Sequence, residues 1–154
     1  MAEILNSFTY NDQKGKVVNG DKGHSFGCKL YGTANAGDFV KRKAVAGSKV
    51  IVVEAIAADT DEVFGIIPYE SAKKNAYVSG DMVTVQGDYT RIVCTASGSI
   101  AATATVMPVV SGMKVATQTY GKSVVGIALL PAADGELVEV LVKTQVAVAA
   151  APTT

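Results

Sequence analysis

The chain of 154 residues contains no tryptophan, one histidine, two cysteines and four prolines, and its aromatic content is 6%. Each scarcity removes a class of function. Without Trp, and with Tyr scattered, the stacking platforms that a carbohydrate-binding surface module needs are poorly supplied. Cys28 and Cys94 make no disulfide framework, and both are expected to be reduced in a protein made in the cytosol. Together with the lone His24 they do not give the closely spaced pairs of a zinc site. A surplus of either charge is also missing: Lys+Arg and Asp+Glu each number 14. A dedicated nucleic-acid binder would need a basic excess to displace counterions, whereas near-zero charge permits self-association. No apolar run reaches the length of a transmembrane helix. The start, Met1 to Ser7, lacks the basic and apolar regions of a secretion signal.

What is present is a β-forming chain. Apolar residues are 49% of the total, enough for a real core. Residues 1–36 read as an extended arm, polar and Gly-rich, carrying Phe8, Tyr10, Phe26 and Tyr31, with one short strand around Val17 and Val18. Its aromatics either anchor a partner surface or pack back on the body. From Gly37 the pattern changes. Lys49–Ile56 is apolar on both faces, as a central strand is. Met82–Gln86 and Arg91–Thr95 alternate around Gly87-Asp88 and read as a hairpin. Further strands are expected near Glu62–Ile67, Val106–Val110, Lys114–Thr117, Ser123–Leu130 and Glu136–Lys143. Short strands with turns every 8–12 residues indicate an all-β sandwich or barrel with little helix; only 69–76 and 99–102 could turn helically. The expected organisation is an arm (1–36), a β body (37–146) and a frayed, uncharged tail (147–154).

A faint internal echo runs through the body. Gly37-Asp38-Phe39-Val40 resembles Gly80-Asp81-Met82-Val83, and Val63-Phe64-Gly65-Ile66 resembles Val124-Val125-Gly126-Ile127. It hints at two similar β units folded against each other.

No catalytic or cofactor constellation assembles. A pair of His24 with Cys94 would set a residue of the arm against one in mid-strand. Gly121-Lys122-Ser123 ends like a phosphate loop, but the required first glycine is Ala116. Asp59, Asp61 and Glu62 lack the glycine and distal glutamate of a calcium loop. Lys41-Arg42-Lys43 is the main basic run, and a charged edge strand accounts for it as well as a partner would. The expectation is therefore a non-enzyme with no catalytic, cofactor or metal residues.

From Gly37 to Val142 the order of signals resembles a known family. It comprises Gly37-Asp38-Phe39-Val40, Asp61–Ile67, the lysine-bearing loop around Lys73 and Lys74, Ser79–Val85, Thr95–Ile100, Val124–Leu129 and Gly135–Val142. This order is similar to the capsid decoration (cement) proteins of tailed bacteriophages, over about two thirds of the chain. The resemblance implies a small β body of the β-tulip kind. It implies a homotrimer bound to the major capsid protein at three-fold and quasi-three-fold sites on the outer surface of the expanded head. Such a protein is made in the host cytoplasm, stabilises the shell against packaged DNA, and binds neither nucleic acid nor membrane. The resemblance further implies an N-terminal arm that contacts the shell, here through Phe8, Tyr10, Val17 and Val18. A trimer needs an apolar seam, for which Val106, Val109 and Val110 and the Ala-rich stretch at 100–104 are the candidates. The competing readings are a tail-tube or other β-rich virion subunit, a carbohydrate-binding module, and an enzyme using Cys94 or Ser97 as nucleophile.

Overall fold

The computed structural model describes residues 23–69, 76–110 and 114–144. The chain is all-β, and no helix occurs among these residues. Twelve strands form two closed five-stranded barrels and one small ribbon. The first barrel contains β1 (Ser25–Leu30), β3 (Phe39–Arg42), β4 (Ile51–Ala55), β5 (Gly65–Ile66) and β7 (Met82–Gln86). The second contains β8 (Arg91–Ala96), β9 (Thr105–Val109), β10 (Lys114–Thr117), β11 (Gly126–Ala128) and β12 (Leu137–Val142). The ribbon pairs β2 (Ala34–Asn35) with β6 (Ala76–Tyr77).

The two barrels are the same structure built twice. Around the first, the order is β1-β4-β3-β5-β7; around the second it is β8-β10-β9-β11-β12. In each, the first and third strands in chain order run parallel, and every other neighbour is antiparallel. Register matches residue by residue. Cys28 sits opposite Val83, and Cys94 opposite Val138; Val40 faces Gly65, and Val106 faces Gly126. Loop hydrogen bonds repeat too: Leu30 N donates to Asp81 O as Ala96 N donates to Glu136 O, and Gly37 N to Ile67 O as Thr103 N to Ala128 O.

The echo at Val63–Ile66 and Val124–Ile127 therefore marks equivalent strands. The echo at Gly37 and Gly80 has a different origin. There the carboxylates of Asp38 and Asp81 each accept from a backbone N–H three residues earlier, at Asn35 and Val78. It is a shared turn chemistry within one barrel. The true counterpart of Gly80 is Gly135, where Glu136 caps Ala133 N in the same way.

Alternation explains the interiors. Cys28, Leu30, Val40, Val53, Val83 and Val85 fill the first barrel, and their counterparts Cys94, Ala96, Val106, Val115, Val138 and Val140 fill the second. The second core also takes in Phe39, Ile56, Val63 and Ile66 from the first barrel, so the two share one apolar interface. Polar contacts ring it: Lys122 Nζ lies 3.0 Å from Asp59 Oδ1, Ser123 N donates to Asp59 O at 2.9 Å, and Ser123 Oγ donates to Asp61 O.

Three expectations change. Ser25–Leu30 and Ala34–Asn35 belong to the body, not to an arm of 1–36: Cys28 and Leu30 are buried and β1 pairs on both sides. Glycines and polar residues hid the strand because Ser25, Gly27 and Lys29 face outward. The β7–β8 hairpin does not exist. Gly87–Thr90 crosses between barrels, with Tyr89 at φ 71° and its N–H donating to Val142 O. Each alternation was real, but the partners are distant in sequence. Ser99–Ala102 makes no helical step, since Ile100 bridges Ala132 as Ala34 pairs with Tyr77. The segment around Lys73 and the tail at 147–154 lie outside the described residues.

The repeat exposes one local conflict. Gly37 has φ 98° and its counterpart Thr103 is held at φ 67°. Left-handed backbone is costly for a β-branched residue. Thr103 is exposed, so Thr103→Gly should raise unfolding free energy by about 1 kcal/mol despite glycine's greater chain entropy. Urea denaturation of the two proteins checks it.

Candidate functional site

A groove of about 720 Å³ lies on the first barrel. Its walls are the β3–β4 hairpin on one side and His24, Asp88 and Thr144 on the other, with Phe26, Phe64 and Val63 between. Phe26 and Phe64 touch, with ring centroids 4.9 Å apart. His24 meets Phe26 and Tyr89 edge-on at 6.4 and 5.5 Å. The hairpin lays Val45 and Val50 open to solvent, at 45% and 47% exposure.

The basic run lines this groove. β3 lies between β4 and β5 only at Phe39 and Val40; from Lys41 onward it is paired with β4 alone, so the run does sit at a strand edge. Lys41 is held by Asp61 at 3.1 Å and by Glu54 at 3.7 Å, and Lys43 by Glu54 at 3.3 Å. The Lys43 ammonium also stands 4.3 Å from the Tyr31 ring centre. Arg42 differs: it is exposed, and its guanidinium stacks over Phe64 at 5.6 Å. A guanidinium fixed on a ring keeps its fork of donors free for a carboxylate.

The second barrel shows that these residues are not needed to build the fold. By register, Lys41, Arg42 and Lys43 correspond to Met107, Pro108 and Val109. Phe26 and Phe64 correspond to the buried Ile92 and Val125. The same backbone thus closes with none of the groove's cations or aromatics.

Asp61 joins the groove to the barrel interface. Its carboxylate accepts from Ala57 N at 2.8 Å and Ala58 N at 3.1 Å. The Ala57 hydrogen bond, with help from Lys41, holds its carboxyl below the ordinary range against a smaller effect of burial. A lowered folded value contributes stability that is full above about pH 4 and is lost as pH falls through that lower value. The stability gap between wild type and Asp61→Asn should therefore narrow below about pH 4, measured by thermal melts across pH.

The other sequence candidates fall as follows. Phe8, Tyr10, Val17 and Val18 lie outside the described residues. Val106 is fully buried inside the second barrel, so it has no surface to offer a trimer seam; inward alternation on β9 is the reason. Val109 is half-buried and Val110 is 38% exposed. Cys28 and Cys94 occupy equivalent interior positions, and burial raises both thiols, Cys94 strongly. Native protein should react with a thiol reagent at least about 1,000-fold more slowly than unfolded protein, since reaction waits on opening. Rapid labelling of Cys94 would restore it as a candidate nucleophile. Among the described residues, no group of three or more His, Cys, Asp or Glu is placed to hold a metal, and no helix is long and apolar enough to cross a membrane. Sequence reasoning noticed the basic run but missed the groove. Phe26 and Phe64 are far apart in the chain, and nothing local says that their rings meet.

No protein-family model matches the chain, and no curated protein matches it. Among solved structures, the chain is similar to one described as the head fiber gp8.5 N base in bacteriophage phi29. That likeness has 16% sequence identity and a TM-score of 0.49, and it covers 79% of this chain and 94% of that one.

Proposed function

We propose that the chain is a structural component of a tailed-phage virion: a decoration protein that binds the outer surface of the expanded head and stabilises it. The reading is supported by the order of motifs shared with decoration proteins. One structural observation carries it further: two copies of one barrel, of which the first bears a groove lined by cations and aromatics that the second lacks at the equivalent positions. A doubled, closed-walled body is a rigid mount, because barrels leave few sheet edges for unwanted pairing. The divergence of the first barrel then supplies a surface for a partner.

In this reading the protein acts without catalysis. It assembles as a trimer at three-fold and quasi-three-fold positions, so several weak contacts combine by avidity. Val109 and Val110 remain the seam candidates, and residues 1–20, with Phe8 and Tyr10, a second contact.

Co-sedimentation with expanded empty heads of the source phage, alongside light scattering of the free protein, tests the reading. Saturable pelleting at a fixed stoichiometry supports decoration, and retention of wild-type occupancy after deletion of residues 1–20 removes the arm from the mechanism. Open-ended filaments would favour a tail-tube subunit. A monomer indifferent to heads would overturn the proposal.

A further inference from the structure

The groove has an unfinished wall. β3 and β4 pair from Val40↔Ala55 to Arg42↔Val53, and Lys43 N still donates to Val52 O at 2.8 Å. On its other side, β3 pairs with β5 only at Phe39↔Ile66 and Val40↔Gly65, with Phe64 N donating to Val40 O at 2.8 Å. Antiparallel pairing alternates direction along a strand. Lys43 bonds toward β4 and Val40 toward β5, so the N–H and C=O of Arg42 and Ala44 face the β5 side. No strand continues there among the described residues, and the groove occupies the space. Opposite Arg42 and Lys43, Val53 and Val52 of β4 are still paired with β1 at Leu30 and Lys29, so this stretch of β3 is the free edge of a three-stranded part of the wall, facing the groove.

The second barrel closes the matching edge chemically. Pro108 stands where the first barrel has Arg42, and a proline has no N–H to offer an added strand. The first barrel keeps the donor and adds a guanidinium. Beside this edge lie Phe26 and Phe64 with the exposed Val45 and Val50. Arg42 and the exposed Lys49 take part in none of the ion pairs found among the described residues, whereas Lys41 and Lys43 are paired.

We infer that the groove binds an extended peptide segment of a partner protein, added as a strand along the Arg42–Ala44 edge. Its backbone pairs with that edge. Its apolar side chains rest on Phe26 and Phe64, and an acidic side chain meets the Arg42 guanidinium. This is β-augmentation, in which backbone bonds supply affinity and alternate side chains supply specificity. Glu62 and Asp88 also line the groove, and Lys41 and Lys43 are already paired, so the preference for an acidic side chain is local to the Arg42 guanidinium. The inference deepens the proposed function and rests on it for the source of the peptide, a segment exposed on the virion.

The test selects a random library of displayed twelve-residue peptides on the full-length chain, then measures binding of the enriched peptides by fluorescence anisotropy. The expected consensus alternates β-branched or aromatic residues with at least one Asp or Glu. Arg42→Gln, which keeps the N–H, should weaken binding about tenfold, the scale of one charge-assisted hydrogen bond. Arg42→Pro, which copies the second barrel, should fold normally and weaken it at least about 100-fold. Arg42→Lys should recover part of the loss. No enrichment, a consensus without acids, or wild-type binding by Arg42→Pro overturns the inference. So does tight binding of a single-stranded oligonucleotide with the same Arg42 dependence, which would make the groove a polyanion site. Loss of peptide binding with head association intact would move the shell contact elsewhere and leave the decoration reading standing. Intact peptide binding with no head association would remove the decoration reading alone.

Discussion

Gly126→Ala is expected to lower unfolding free energy by about 3 kcal/mol, the upper end for overpacking a tight interior, and the melting midpoint by about 6–12 °C. Gly126 sits in β11 where the wall of the second barrel closes against β12. A Cβ there would fall on the backbone carbonyl of Leu141, with the amide nitrogen of Lys143 2.9 Å away. Both are backbone atoms in a paired strand, so neither can swing aside as a side-chain end could. Relief requires the β11–β12 ladder to part, and a closed barrel transmits such a shift to its other strands. The equivalent Gly65→Ala should behave alike, since its Cβ would lie 2.5 Å from Gln86 O and 2.6 Å from Val85 Cγ1. Gly27→Ala is the control. Its Cβ meets nothing within 4 Å, and the substitution should be neutral or gain up to about 1 kcal/mol by restricting the unfolded chain. Urea and thermal unfolding of the three variants decide the matter. Wild-type stability for Gly126→Ala would mean that the wall is not closed there.

Neither barrel should fold alone. A chain ending at Asp88 leaves Phe39, Ile56, Val63 and Ile66 without the second-barrel side chains that cover them. Domains of about 60 residues bury too small a share of their surface to lose an apolar face and remain folded. Each half expressed separately is expected to lack dispersed amide resonances, and mixing the two should restore the spectrum of the intact protein. The whole chain should unfold in one transition, with thermal and denaturant curves coinciding across probes. Two resolved transitions, or a folded half, would show that the shared core contributes little. That contrast matters because tandem barrels joined only by a linker would unfold independently.

The strands were legible wherever one face is buried. Val83 and Val85, Ile92 and Cys94, and Val138, Val140 and Val142 all point inward as alternation requires. The duplication was half legible. Val63–Ile66 and Val124–Ile127 share a glycine because both positions lie against a neighbouring backbone, a steric demand that leaves a mark in sequence. Many inward equivalences keep their residue, as Cys28 and Cys94, Val40 and Val106, Val53 and Val115, or Val83 and Val138 do, but these are single matches at unequal spacings that no local pattern joins; others, such as Phe39 and Thr105, share a place but no chemistry. β1 was missed because its outward positions are Ser25, Gly27 and Lys29, and its inward ones are too few to stand out.

Composition and alternation by themselves determined that this chain is all-β, that it carries a sizeable apolar core, and that its cysteines form no framework. Those properties follow from local periodicity and from counts. Only the tertiary structure decided which strands pair, that Met82–Gln86 and Arg91–Ala96 go to different barrels, and that Phe26, Phe64 and Arg42 converge on one groove. Pairing partners are chosen by distant register and by barrel closure. A local pattern reports which face a residue prefers, and it is silent on what that face will meet.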